Sequence, residues 1–124
     1  LSNNLKLALK LNLDGVYLPS FNKSLNTRIR SINKNFTIIG SAHNRREMRI
    51  KEQQGAKLIF LSPLFLIKKS KNFLNPVKFN LLASKTKQKV IALGGINSLN
   101  IKKLKMVNAD GFAGISYFKH NNYL

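Results

Sequence analysis

The run Val90-Ile91-Ala92-Leu93 ends in Gly94-Gly95, and Ile96-Asn97-Ser98 leads on into a segment with helical spacing. Residues of these types in this order suit an anion. Glycine has no Cβ, so the main chain can come close to a phosphate, and a helix start offers free N–H groups and the positive end of its dipole. The same residues equally describe a strand-to-helix turn with no ligand, because one Gly-Gly pair is a weak signal. Other chemistries have less to work with. Cysteine is absent, which excludes disulfides and thiolate metal ligands. There is no G-x-S-x-G, no G-x-G-x-x-G and no cluster of metal-binding side chains along the chain.

The elements that must position this turn are legible as an alternation of helical and strand patterns. Leu5, Leu7, Leu9, Leu11 and Leu13 alternate like a strand, but Leu, Ala and Lys are strong helix formers and Asn3 or Asn4 supplies a cap, so a helix is expected. Gly15–Leu18 reads as a short strand stopped by Pro19. The segment 22–32, with Leu25, Ile29 and Ile32, reads as an exposed helix, and Phe36–Gly40 as a β-branched strand. Asn44 and Glu47 form a capping-box pattern for a helix running to Gln54, with Gly55 as its left-handed stop. A strand over 57–62, a lysine-bearing loop over 63–76, a helix over 77–84 and a strand over 89–93 follow. A helical face of Leu99, Ile101, Leu104 and Val107 and a last strand over 111–116 complete the order. Short apolar strands between helices predict a parallel sheet. This pattern fits either an open doubly wound sheet or a (β/α)8 barrel. Both collect their chemistry at the carboxyl ends of the strands, here Ser20, Ser41 to His43, Ser62 to Lys71, Gly94-Gly95 and Ile115-Ser116.

Charge bounds the partners. Twenty-two Lys and Arg oppose only Asp14, Glu47, Glu52 and Asp110, a net charge of +18, which attracts polyanions and phosphorylated metabolites. The lysines are scattered and aromatics are not interleaved with them, so a nucleic-acid module ranks low. No apolar run approaches the ~20 residues that span a bilayer.

Four segments resemble the thiamine phosphate synthase/TenI family. Ile39-Gly40-Ser41-Ala42-His43-Asn44 is similar to its G-x-S-A-H segment, and Gly55 to Phe65 to its G-A-D-Y-I-x-L-S-P-I-F segment. Val90 to Asn97 resembles its strand ending in G-G-I, and Ala109 to Ser116 its A-D-G-V-A-x-I-S ending. The likeness runs to Phe118, leaving 119–124 as an unpatterned tail. It implies a (β/α)8 barrel of which residues 1–118 cover the end of strand three and strands four to eight, with the first third missing. A fragment or a late-placed start is therefore expected, and poor solubility for the isolated piece, because a broken barrel leaves open sheet edges.

The resemblance also implies roles. Gly94, Gly95, Ile115, Ser116 and Ser70 would bind a thiazole phosphate. Ser2, Ser41 and Lys71 would bind a pyrimidine diphosphate, and His43 would shuttle protons as in the TenI branch, which Leu18-Pro19-Ser20 resembles. The family's magnesium carboxylates fall at Asn3 and Asn22, which are amides here. Magnesium would be a cofactor only in an active synthase. The expected protein is therefore a cytoplasmic thiamine-biosynthesis protein, TenI-like or degenerate, possible as a homo-oligomer. The alternatives are a divergent active synthase, a non-catalytic ligand sensor, or a basic module for polyanions.

Overall fold

A computed structural model describes residues 1–25, 35–67 and 72–114. Five parallel strands, β1 (Gly15–Leu18), β2 (Thr37–Ala42), β3 (Leu58–Leu61), β4 (Lys89–Leu93) and β5 (Gly111–Ala113), lie in the order β1-β2-β3-β4-β5. Each strand pairs with its sequence neighbour. A doubly wound sheet needs a point where strand order reverses, and no reversal occurs between the described strands, so the arc is of the (β/α)8 type. Beyond β1 the ladder continues at the chain start. Ser2 bridges Tyr17 in parallel, Asn3 N–H donates to the Tyr17 carbonyl at 2.6 Å, and Tyr17 N–H donates to the Leu1 carbonyl at 2.7 Å.

The two faces of the sheet differ. Val16, Leu18, Ile38, Ala42, Ile59, Leu61, Val90 and Ala92 alternate onto one face and are buried in the main apolar core with Met48 and Phe79 of the helices. The opposite face carries Tyr17, Ile39, Leu58, Phe60, Ile91 and Leu93, all only half-buried. The all-apolar strand runs thus serve one packed face and one face that is partly open in the described residues. In a closed barrel the latter lines the interior.

Helix α1 (Leu5–Lys10) forms despite the strand-like alternation of its leucines. Asn4 accepts the Leu7 N–H at 3.0 Å, capping the first turn, and Ala8 is the residue it buries. Helix α2 (Arg45–Gln54) follows the capping-box reading. Asn44 accepts from Glu47 N–H at 2.9 Å, and Gly55 closes the helix at φ 93°. Helix α3 (Asn75–Ala83) begins two residues earlier than the spacing predicts, with Pro76 in its first turn, where a missing N–H is harmless.

Two expectations are corrected. Residues 22–25 are not helical; Asn22 and Ser24 instead offer their carbonyls to α2, and the rest of that predicted helix, 26–34, lies outside the described residues. The expected face of Leu99, Ile101, Leu104 and Val107 is not α-helical: Ile101 and Leu104 lie in a 3-10 helix (Ile101–Met106), Val107 caps it, and Leu99 is exposed. Among the described residues no helix is long and apolar enough to cross a membrane.

Candidate active site at the strand ends

Gly94 and Gly95 adopt left-handed backbones, at φ 105° and 73°. A Cβ built on Gly95 would lie 2.6 Å from the carbonyl oxygens of both Phe65 and Leu66, and one on Gly94 would lie 3.0 Å from the Pro63 Cα. The glycines are therefore required by the close approach of the loop that follows β3. Leu64 N–H donates to the Leu93 carbonyl at 2.9 Å, and Phe65 N–H to the Gly94 carbonyl at 3.1 Å. The expected helix start does not adjoin the glycines. Asn97 instead receives Leu99 and Asn100 N–H on its side-chain oxygen at 2.8 and 3.1 Å, and Asn100 donates to the Gly95 carbonyl at 2.7 Å. What remains for an anion is the glycine turn itself, without a helix dipole behind it. The positions Ser70, Lys71, Ile115 and Ser116 lie outside the described residues.

At the β1 edge of the sheet, the two positions expected to carry metal carboxylates do meet. Asn22 Nδ2 donates to Asn3 Oδ1 at 2.8 Å. Asn3 sits at φ 53°, a left-handed backbone that asparagine tolerates, directly after exposed Ser2. The oxygens of Asn22 are occupied. Its side-chain oxygen accepts from Ser24 N–H at 3.0 Å and Gln54 Nε2 at 3.3 Å, and its backbone oxygen accepts from Lys51 Nζ at 2.8 Å and Gln54 Nε2 at 2.9 Å. A divalent cation of the hard, oxygen-seeking kind needs carboxylates with free lone pairs. Two neutral amides bonded to each other, one already saturated as an acceptor, do not fit it. Among the described residues no group of three or more His, Cys, Asp or Glu is placed to hold a metal ion.

Sequence reasoning misses Lys51 and Gln54. Lys51 lies on α2 with 0% relative exposure, its stem over Gly40 and its ammonium bonded to the Asn22 carbonyl and, at 2.7 Å, to Gln54 Oε1. Burial pushes its ammonium below the ordinary lysine range, while the Glu47 carboxylate pulls in the opposite direction. The one clue in the sequence is Gly40, which leaves a gap in a strand otherwise made of larger residues.

His43 stands immediately beyond β2, half-exposed, with Nδ1 3.1 Å from Glu47 Oε1. An ionised carboxylate only accepts, so in the neutral ring Nδ1 carries the proton and Nε2 is left as the base. The ring lines a cavity of about 290 Å³ together with Pro63, Asn72, Phe73, Leu74 and Lys78. Pro63 connects this cavity to the glycine turn, since its other side packs on Gly94. Ser41 is buried in β2 and alternates onto the half-open face, in register with Phe60.

A singly wound parallel arc with a glycine turn and a histidine at its strand ends defines a protein of the (β/α)8 type. The sequence model of the thiamine monophosphate synthase (TMP-TENI) family matches residues 1–118, and the chain belongs to that family. It is 37% identical over 117 residues to the protein assigned as thiamine-phosphate synthase 2 in Aquifex aeolicus (strain VF5), covering 90% of this chain and 61% of that one. It is 31% identical over 119 residues to the thiamine-phosphate synthase of Syntrophomonas wolfei, covering 94% and 57%. The chain thus spans roughly three-fifths of the length of these relatives. Among solved structures it resembles a thiamine phosphate pyrophosphorylase from Pyrococcus furiosus, with a TM-score of 0.68 and 22% identity over 92% of this chain and 55% of that one.

Proposed function

We propose that the protein acts in thiamine biosynthesis by holding a phosphorylated thiazole, with the phosphate on the amides of Gly94 and Gly95. In this reading Ser70, Ile115 and Ser116 complete the phosphate site, and the reaction is a metal-free proton shift in the thiazole ring rather than coupling to a pyrimidine diphosphate. The observation that carries it is the Asn3–Asn22 hydrogen bond, which fills the position where coupling would need a cation-binding carboxylate pair. A thiazole tautomer becomes aromatic when a proton leaves one ring carbon and another is delivered elsewhere on the ring system. His43 Nε2, with its partner nitrogen held by Glu47, is suited to both transfers, and no co-reactant is consumed. A member of the family that binds the thiazole phosphate without converting it shares the same phosphate site.

The test uses the full-length protein with the phosphorylated thiazole tautomer in the presence of a chelator, read by the absorbance of the aromatic product. Conversion is expected, and His43→Asn should lose it while still binding the aromatic thiazole phosphate. Binding without conversion in the parent protein identifies the non-catalytic form. Ser41, Lys71 and Ser2 belong to the second reading, a divergent synthase, which the names of the two relatives favour. Thiamine phosphate formed from both substrates with Mg²⁺, and lost on Ser41→Ala, would establish that reading in place of the first.

A further inference from the structure

We propose that Lys51 is a positioning residue whose buried ammonium holds the Asn3–Asn22 pair in place and keeps divalent cations away from that edge of the sheet. The inference rests on the metal-free reading of Asn3 and Asn22 and adds the group that enforces it.

Lysine is rarely fully buried, because taking an ammonium out of water is unfavourable unless it is fully hydrogen-bonded. Lys51 is fully buried. Its stem replaces the side chain that Gly40 lacks, so a plain packing role explains the methylenes. It does not explain the ammonium. Nζ bonds the Asn22 carbonyl at 2.8 Å and Gln54 Oε1 at 2.7 Å. Gln54 in turn spends Nε2 on the Asn22 backbone and side-chain oxygens and on the Ser24 carbonyl at 3.0 Å. Two side chains of α2 are thus committed to one residue of the loop after β1. That residue presents its side-chain amide to Asn3. The charge is fixed, close to Asn22, and shielded from water, where it repels an approaching cation far more strongly than a surface lysine would. Glu47, on the same helix, is the carboxylate that partly balances it. It is itself engaged by His43 and by Asn44 Nδ2 at 3.4 Å.

The probe is Mn²⁺ alone, titrated into the full chain and followed by the loss of its free-ion electron paramagnetic resonance signal. The unaltered protein should show no saturable binding at millimolar Mn²⁺. Asn3→Asp/Asn22→Asp should bind weakly, and adding Lys51→Met, which keeps the stem over Gly40, should tighten that binding by about tenfold or more. Lys51→Gln provides a second neutral side chain should Lys51→Met fail to fold. Saturable binding to the unaltered protein would overturn both this inference and the metal-free reading. Equal Mn²⁺ affinity of the aspartate pair with and without Lys51 would overturn the role of Lys51 alone. The titration is independent of thiazole binding, so a failed thiazole experiment does not alter what the Mn²⁺ titration decides.

Discussion

Lys51 Cδ lies only 2.5 Å from where a Cβ on Gly40 would stand. The residues are neighbours because β2 and α2 pack together, and the helix fills the gap left by the strand with a charged side chain. Gly40→Ala should therefore destabilise the protein by about 1–3 kcal/mol through overpacking. Lys51→Ala alone should also destabilise, since it leaves the Asn22 and Gln54 oxygens short of a donor. In the double variant the two effects should fall well short of adding, because each removes the other's obstacle. Chemical denaturation of the four proteins measures this coupling; strict additivity would refute the packing.

The same lysine gives a pH signature. Burial lowers its folded-state pKa below the ordinary 10.5, with Glu47 offsetting part of the effect. The folded state then releases the proton before the unfolded chain does. Between the lowered value and 10.5 the unfolded state binds more protons, so stability rises with pH across that window and levels off above it. Denaturation of the parent protein against Lys51→Met should show their difference moving in the parent's favour as pH rises from neutral toward 10.5, and a constant difference would contradict the burial of the charge.

Gly95→Ala should be more damaging than Gly94→Ala. Both backbones are left-handed, but a methyl on Gly95 meets two carbonyl oxygens at 2.6 Å, whereas on Gly94 the nearest atoms are 3.0 Å away. Backbone strain of this kind costs about 1–3 kcal/mol before the collision is added. Thermal melts rank the pair, and phosphate binding by the surviving folded fraction should be weaker in Gly95→Ala.

Asp110 lies in the A-D-G stretch of the family resemblance, and its contacts are at the amino end of the strands, away from the glycine turn. Its carboxylate accepts from Val90 N–H at 2.8 Å, and its own N–H donates to the Val90 carbonyl at 2.8 Å, fixing the start of β4 against β5. Asp110→Ala should lower stability by about 1–3 kcal/mol, the cost of a partly buried N–H left without its charged acceptor. Ligand affinity per folded molecule should stay unchanged, which calorimetry on the folded fraction would check.

What is legible in the sequence is what is local. The Asn44–Glu47 cap with its Gly55 stop, and the strands over 58–61 and 89–93, are written in adjacent residues. The leucine alternation of 5–13 is ambiguous in period, and the Asn4 cap decides it. The three-residue spacing of Ile101, Leu104 and Val107 already carries the 3-10 period, but short spacings of this kind resemble an α-helical face. Asn3 and Asn22 can be singled out only through the family resemblance, and their direct contact depends on folding that brings together residues 19 apart. Lys51 is invisible for a similar reason: on a helix rich in arginine it reads as one more solvated cation, and only Gly40, on a different element, makes room for it.

The glycine turn also bears on where the chain can change in length. Pro63 and Leu64 are gripped on one side by Leu93 and Gly94, and on the other by Leu74 and Asn75, whose N–H groups donate to the Pro63 and Leu64 carbonyls at 2.9 Å each. An inserted residue before Leu64 would break both grips at once, whereas one between Leu66 and Phe73 falls outside both. The stretch Leu66-Ile67-Lys68-Lys69-Ser70-Lys71 falls in that interval of the sequence. A change of length there leaves the hydrogen bonds that hold Pro63 and Leu64 to their neighbours in place, and should cost less stability than one at the turn.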